Sequence, residues 1–409
     1  MDKYKLPIGT RDYLPEESYY KNVITSDIMD VFRSHNYLRV ETPAMEYYNL
    51  YSQGGDRVRE EDLFKLTDTD GRILVLRPDI TLPVSRMVCT KVKPNGVLKY
   101  CYLGNCYNLN TDGKYRLREF TQAGIELIND SSPYADADVI AIAIEALLAA
   151  GLEDFLIDIG QVEFFKGIID SLGFRGKEKA GIAELIYKKD IIGINELIKN
   201  NEKKIGGYTL AGRSSQLELL TKLPTLFGGI EVCEKAESYS LNDDCLEVLD
   251  CLRQLYEILD VRGMSKYLSF DLSLVNAMNY YSGIVFKGIT GHFGTPILAG
   301  GRYDGLSSVF NADIPSTGFA IGIDNLMTAL ERAGKTPELP VVDYVIGYDP
   351  IGYEQAIKAA DKLREEGYIV DSILTDSQES LIKYQKAKSI KCKKMIFIGN
   401  KEAGGVTKE

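Results

Sequence analysis

The chain has 409 residues, of which 45% are hydrophobic and 26% charged, and its formal net charge is −11. That balance belongs to a globular chain with room for two or three domains, and the acidic total argues against a nucleic-acid clamp, which needs a basic face to neutralise phosphates. Seven scattered cysteines with no C-x-x-C, and only two histidines, argue against a zinc site or a disulfide framework; no metal or cofactor is expected. No apolar run is long enough to span a membrane, and the N-terminus "MDKYKLPIGTRDYLPEE" lacks the apolar core of a signal peptide, so the expected location is cytoplasmic.

In chain order, the first ~130 residues mix short strands with turn signals, as in "RILVLRPDI" and "VLKYCYLGNCYNL". "DADVIAIAIEALLAAG" predicts a helix entered at an Asp near its start and stopped at Gly151, and "DFLIDIG" predicts a buried strand. From residue 161 or so to about 265 the pattern turns helical, as in "EVLDCLRQLYEILD", and reads as an inserted helical subdomain. Strand character returns in "LSFDLSLV", "YYSGIVFKGI" and "TPILAGGRYDGL". "TGFAIGIDNLMTAL" reads as a strand running through Gly318 and Gly322 into a helix. Two prolines and a glycine in "ERAGKTPELPVVD" mark a linker over 333–341, which separates a 1–332 unit from a small α/β domain over 342–409.

Several polar residues fall where a free amino acid could be held. Such a ligand needs a carboxylate for its ammonium, polar donors for its own carboxylate, and a shaped pocket for its side chain. Asp79 and Thr81 follow a strand, and Gln122 and Glu126 lie four apart on "TQAGIE", on one face if that segment is a strand. Tyr280 and Tyr281 open a further strand, and the glycines of "AGGRYDG" permit close backbone approach to a ligand, as they would permit a tight turn. Taken singly, each of these residues reads as well as a surface carboxylate or a core aromatic.

Four stretches in order, "GTRDYLP", "LRPDITLPVSR", "LREFTQAGIEL" and "YYSGIVF…AGGRYDGL", resemble the histidyl-tRNA synthetase family over nearly the whole chain. The resemblance implies an α+β fold with a class II aminoacyl-tRNA synthetase core, a six-stranded antiparallel sheet flanked by helices. It also implies a helical insertion at about 165–265 and a C-terminal α/β domain similar to an anticodon-binding domain. Matched position by position, Asp79, Thr81, Gln122 and Glu126 would hold the histidine ammonium, and Tyr280 and Tyr281 would line the imidazole pocket.

The same matching exposes three departures. Asn108, Asn276 and Asn325 stand where the synthetases carry arginines for the triphosphate and the activation step. Asparagine donates a hydrogen bond but brings neither charge nor guanidinium fork. Losing one such donor costs roughly 3 to 4 kcal/mol of transition-state stabilisation, so three could cost on the order of 10 kcal/mol, or about 10⁷-fold in rate. Arg77, Arg116 and Arg118 remain nearby as cations that could be recruited instead.

A kept amino-acid pocket beside a lost ATP apparatus resembles the regulatory subunit of ATP phosphoribosyltransferase, a synthetase paralogue without catalysis of its own. What that implies is a short-form catalytic subunit as partner, a hetero-octamer built around a dimer of synthetase-like chains, and histidine as feedback effector, with no tRNA and no membrane. A divergent histidyl-tRNA synthetase that uses other cations is the alternative. A nucleic-acid-binding module that kept the C-terminal domain is a third reading.

Overall fold

In a computed structural model, residues 4–52, 59–109, 117–205, 214–239, 241–274, 281–388 and 391–399 are described. The chain divides into two compact units, Met1–Thr336 and Pro337–Glu409. The strands, in chain order, are β1 (Leu38–Arg39), β2 (Met45–Tyr47), β3 (Lys65–Thr67), β4 (Ile73–Leu76), β5 (Leu98–Tyr107), β6 (Glu119–Ile128), β7 (Leu156–Gln161), β8 (Phe227–Gly228), β9 (Leu268–Asp271), β10 (Ile284–Thr290), β11 (Phe293–Arg302), β12 (Ser316–Gly322), β13 (Val342–Tyr348), β14 (Val370–Leu374) and β15 (Cys392–Ile398). The helices are α1 (Pro15–Ser34), α2 (Asn49–Ser52), α3 (Thr81–Met87), α4 (Pro133–Ala149), α5 (Val162–Leu172), α6 (Lys177–Tyr187), α7 (Ile191–Ile205), α8 (Ser214–Lys222), α9 (Val232–Glu237), α10 (Asp243–Val261), α11 (Ile323–Arg332), α12 (Tyr353–Glu365) and α13 (Gln378–Lys388).

The first unit is built on a nine-stranded sheet in the order β1-β5-β6-β12-β11-β10-β7-β9-β8. Its middle, from β5 to β7, is antiparallel at every pairing, which is the six-stranded sheet the sequence resemblance implied. Parallel pairings add β1 at one edge and β9 at the other. The insertion, α5 to α10, is not wholly helical: it also delivers β8, which pairs with β9 at the sheet's far edge. A separate antiparallel sheet, β2-β4-β3, leads into the turn before α3. The second unit is a parallel sheet in the order β14-β13-β15 with α12 and α13.

The sheet's two faces have different jobs. Along β6 the side chains alternate, and Ala123, Ile125 and Leu127 enter the main core with Ile24, Ile28 and Phe32 of α1 and the apolar residues of α4 and α11. The α1 set recurs at helical spacing, so one stripe of that helix lies on the sheet. Helix α4 is apolar over most of its surface, where it packs on β12, α1 and α10, and keeps Asp138 and Glu145 for ion pairs with Arg262 and His35. It starts at Pro133 behind a Ser132 cap whose Oγ accepts from Ala135 N at 3.3 Å, ahead of the Asp start expected from sequence. Gly151, at φ +92°, ends it as expected. Gln122, Gly124 and Glu126 are thereby left on the opposite face.

Phe32 is fully buried and meets Phe319 of β12 edge-on, with ring centroids 5.8 Å apart. Phe32→Ala should therefore cost about 3–5 kcal/mol in a denaturant titration, whereas Val261→Ala, at an exposed position, should cost less than about 0.5 kcal/mol.

Candidate functional site

Register places the pocket residues. Glu126 pairs with Tyr100 of β5 and Gly318 of β12, and Gly318 pairs with Gly301 of β11. One step along, Gly124 lies between Tyr102 and Ala320, and Gln122 lies between Gly104 and Gly322. The floor is thus mostly glycine and alanine, and two of the glycines are required by what lies on them. A Cβ on Gly318 would fall 2.0 Å from Glu126 Oε2, and one on Gly124 would fall 2.5 Å from the Tyr102 hydroxyl. Tyr281 lies over Gly301, where a Cβ would come within 2.7 Å of its ring.

The turn between β4 and α3 covers β5. Arg77 anchors it, with Nε donating to Asn105 O at 2.9 Å and Nη1 to Thr42 O at 2.7 Å. Asp79 accepts from Leu82 N at 3.1 Å at the start of α3. Thr81, Tyr102 and Asp79 all act on Glu126, which brings the first two pairs of the sequence reading into one place. Gln122 accepts from Cys106 Sγ at 3.2 Å, which turns its amide nitrogen the other way.

Glu126 is 1% exposed and accepts a hydrogen bond from the Tyr303 hydroxyl on Oε2, while Oε1 finds no partner among the described residues. The Tyr51 hydroxyl is likewise buried without a partner among the described residues, and the Tyr102 hydroxyl lies beside Glu126 and Thr81 short of full hydrogen-bond geometry with either. Tyr51, Tyr303 and Tyr281 pack together beside Leu82. No described lysine or arginine forms an ion pair with Asp79 or Glu126. Burial therefore dominates: it pushes the Glu126 carboxyl up to about 8, against the Tyr303, Thr81 and Tyr102 hydroxyls and with repulsion from Asp79. Asp79 is raised in the same way, opposed by the Leu82 and Thr81 amides and by Arg77. Native proteins rarely bury polar groups unpaired, so this constellation fits a ligand that supplies a positive charge and hydrogen bonds.

Tyr281 lies three residues before β10 and does not open that strand. Tyr280 and Asn276 lie outside the described residues, as does Arg116. Asn108 follows β5, its backbone N–H donating to Arg118 O at 2.9 Å. Asn325, in the first turn of α11, turns its amide to Pro296 O at 3.3 Å. Its neighbour Asp324 accepts from the Tyr13 hydroxyl and from Thr121 N, the latter at 2.8 Å. Asp324 also pairs with Lys21 Nζ at 3.6 Å, so the lysine at this end of β6 is engaged by a carboxylate. Arg77 is buried and bonded to main-chain oxygens, so it is not disposed as a free substitute. The aliphatic part of Arg118 lies along Gly9, and its Nε is buried without a partner among the described residues.

Three pocket residues carried no assignment in the sequence. Tyr303 lay inside the quoted "AGGRYDGL", and Tyr102 shares its face of β5 with Gly104 and Cys106 at strand period, so both were within reach of the pattern. Tyr51, on the four-residue α2, had no such signal.

A carboxyl raised to about 8 holds a proton in the folded state that the unfolded chain has already lost above the ordinary glutamate range. Stability should therefore fall as pH rises from about 4.5 to about 8, and Glu126→Gln should flatten that slope in thermal unfolding followed across pH. A cationic ligand favours the carboxylate, so its binding should release a proton at pH 7, measurable by calorimetry in buffers of different ionisation heat.

Residues 9–326 match the family model described as histidyl-tRNA synthetase. The chain is 41% identical over 370 residues to the ATP phosphoribosyltransferase regulatory subunit of Acetivibrio thermocellus, covering 90% of this chain and 86% of that one. It is 39% identical over 395 residues to the protein of the same name from Ruminiclostridium cellulolyticum, covering 95% and 92%. Among solved structures, an ATP phosphoribosyltransferase regulatory subunit/histidyl-tRNA synthetase from Bacillus halodurans superposes with TM-score 0.85 at 30% identity, over 98% of this chain and 99% of that one. A histidyl-tRNA synthetase from Nostoc sp. PCC 7120 shares the fold, with TM-score 0.79 at 21% identity over 98% and 93%. The chain belongs to the family of ATP phosphoribosyltransferase regulatory subunits, built on a histidyl-tRNA synthetase-like class II fold.

Proposed function

We propose that this chain is a non-catalytic subunit that activates a short-form ATP phosphoribosyltransferase catalytic subunit and carries histidine feedback to it. The observation that supports this most is the coexistence of a buried Glu126 and a half-buried Asp79, neither ion-paired with a described lysine or arginine, with asparagines at the arginine positions of an adenylate-forming site. Histidine would place its ammonium against Asp79, Thr81, Gln122 and Glu126, with its ring between Tyr281 and Tyr303; Tyr280 would complete that wall. The names of the relatives support a catalytic partner for this chain.

Assembly follows the same reading: a self-dimer at the centre of a hetero-octamer in the cytoplasm. The β2-β4-β3 sheet presents Met45, Tyr47 and Leu66 on one face, at 52%, 46% and 43% exposure, and a second copy would cover it. The chain's net charge of −11 argues against tRNA as a partner.

For feedback, histidine must bind two states of the assembly unequally, a coupling of about 1–3 kcal/mol in typical cases. Adding this chain to the short-form catalytic subunit of the same organism should raise phosphoribosyl transfer from near zero, saturating at equal amounts, and histidine should then lower it. Glu126→Ala should weaken histidine binding at least tenfold in calorimetry, since it removes one partner of a buried charge pair. That variant should still activate the partner. Absence of activation by wild type would remove the assignment, and joint loss of activation and sensing in the variant would make the pocket part of the interface.

A further inference from the structure

Two consecutive residues at the end of β11 point to opposite sides of the sheet. Arg302 pairs in register with Thr317, which pairs with Leu127, so its side chain lies on the helix-packed face. Tyr303, the next residue, sends its hydroxyl to Glu126 on the pocket face.

Arg302 is 8% exposed, and its guanidinium is used at all three nitrogens. Nε donates to Asp136 Oδ2 at 3.0 Å, Nη2 to Ser132 O at 3.3 Å, and Nη1 to Asp130 O at 3.0 Å and Asp304 Oδ1 at 3.2 Å. The first three acceptors lie at or just before the start of α4. Asp304 is held in turn, its Oδ1 accepting from Ser316 N at 2.9 Å and its N–H donating to Ser282 Oγ at 3.0 Å. Ser282 N donates back to Arg302 O at 2.8 Å, and Tyr303 N donates to Ser316 O at 2.8 Å. Both chain neighbours of Tyr303 are therefore clamped, one by a planar fork that spans residues 130–136 and Asp304, and the other by that fork and a serine.

We infer that Arg302 is a positioning residue for the pocket: by tying the end of β11 to the start of α4, it holds Tyr303 where its hydroxyl reaches Glu126, and so sets the charge state of that carboxylate. A lysine keeps the charge but has no fork and cannot span the same acceptors. Ser282 acts through Asp304 in the same direction and more weakly.

The test needs no ligand, so it stands or falls separately from histidine sensing. The Glu126 titration is read as the pH dependence of unfolding in each background minus that of the same background carrying Glu126→Gln. Tyr303→Phe removes a hydrogen bond that favours the carboxylate, and should move the midpoint above the wild-type value of about 8 by about one pH unit. Arg302→Lys should move it in the same direction, and the Arg302→Lys/Tyr303→Phe double variant should move it no further than Tyr303→Phe alone. An Arg302→Lys protein that is equally destabilised at every pH, with the midpoint unmoved, would show a structural clamp only and overturn the inference. If Arg302→Lys does not fold, Ser282→Ala takes its place, with a smaller upward shift expected and an unmoved midpoint overturning. A wild type with no Glu126-dependent slope would overturn it as well. Failure of the wild type to bind histidine would count against the proposed function alone.

Discussion

The pocket depends on one unfavourable burial. Glu126 sits at 1% exposure, in the middle of a sheet, with a phenol on one oxygen and no partner among the described residues on the other. A carboxylate in that position is tolerated only if it is protonated or paired, because desolvation of a charge costs far more than one hydrogen bond returns. The surroundings are arranged around that problem. Gly318 leaves room for Oε2, Gly124 leaves room for the Tyr102 hydroxyl, and the Arg77-anchored turn brings Asp79 close enough to raise the Glu126 carboxyl further. A cation entering the proposed pocket would resolve the conflict.

Why such a site sits on a sheet follows from strand alternation. The face carrying Ala123, Ile125 and Leu127 holds the fold together with α1, α4 and α11, which frees the opposite face to be small and polar. Stability and recognition are thus carried by alternate residues of the same strands. At the end of β11 the division is sharpest, with Arg302 on one side and Tyr303 on the other.

Much of this was legible in the sequence, for identifiable reasons. Gln122 and Glu126 at period two on an apolar background could be placed on one face before the strand was seen, and Asp79 and Thr81 did fall after a strand. The helix start was missed because Ser132 and Pro133, not the aspartates, supply the cap and the first turn. The strand β8 was hidden in a helical insertion, since two residues carry no periodic signal. Arg77 looked available as a cation, and only the geometry shows it committed to main-chain oxygens. Tyr51 reaches the pocket through packing between segments distant in the chain, which no local pattern encodes.

The central claim is that the amino-acid pocket was kept while the charge needed for adenylate chemistry was given up, with asparagine at positions 108, 276 and 325. Histidine-dependent exchange of pyrophosphate into ATP by the purified chain measures that chemistry directly. The account predicts no exchange above background with ATP and histidine in excess, beside an ordinary histidyl-tRNA synthetase run as the positive control. Exchange at a rate comparable to that control would contradict it and make the chain a synthetase.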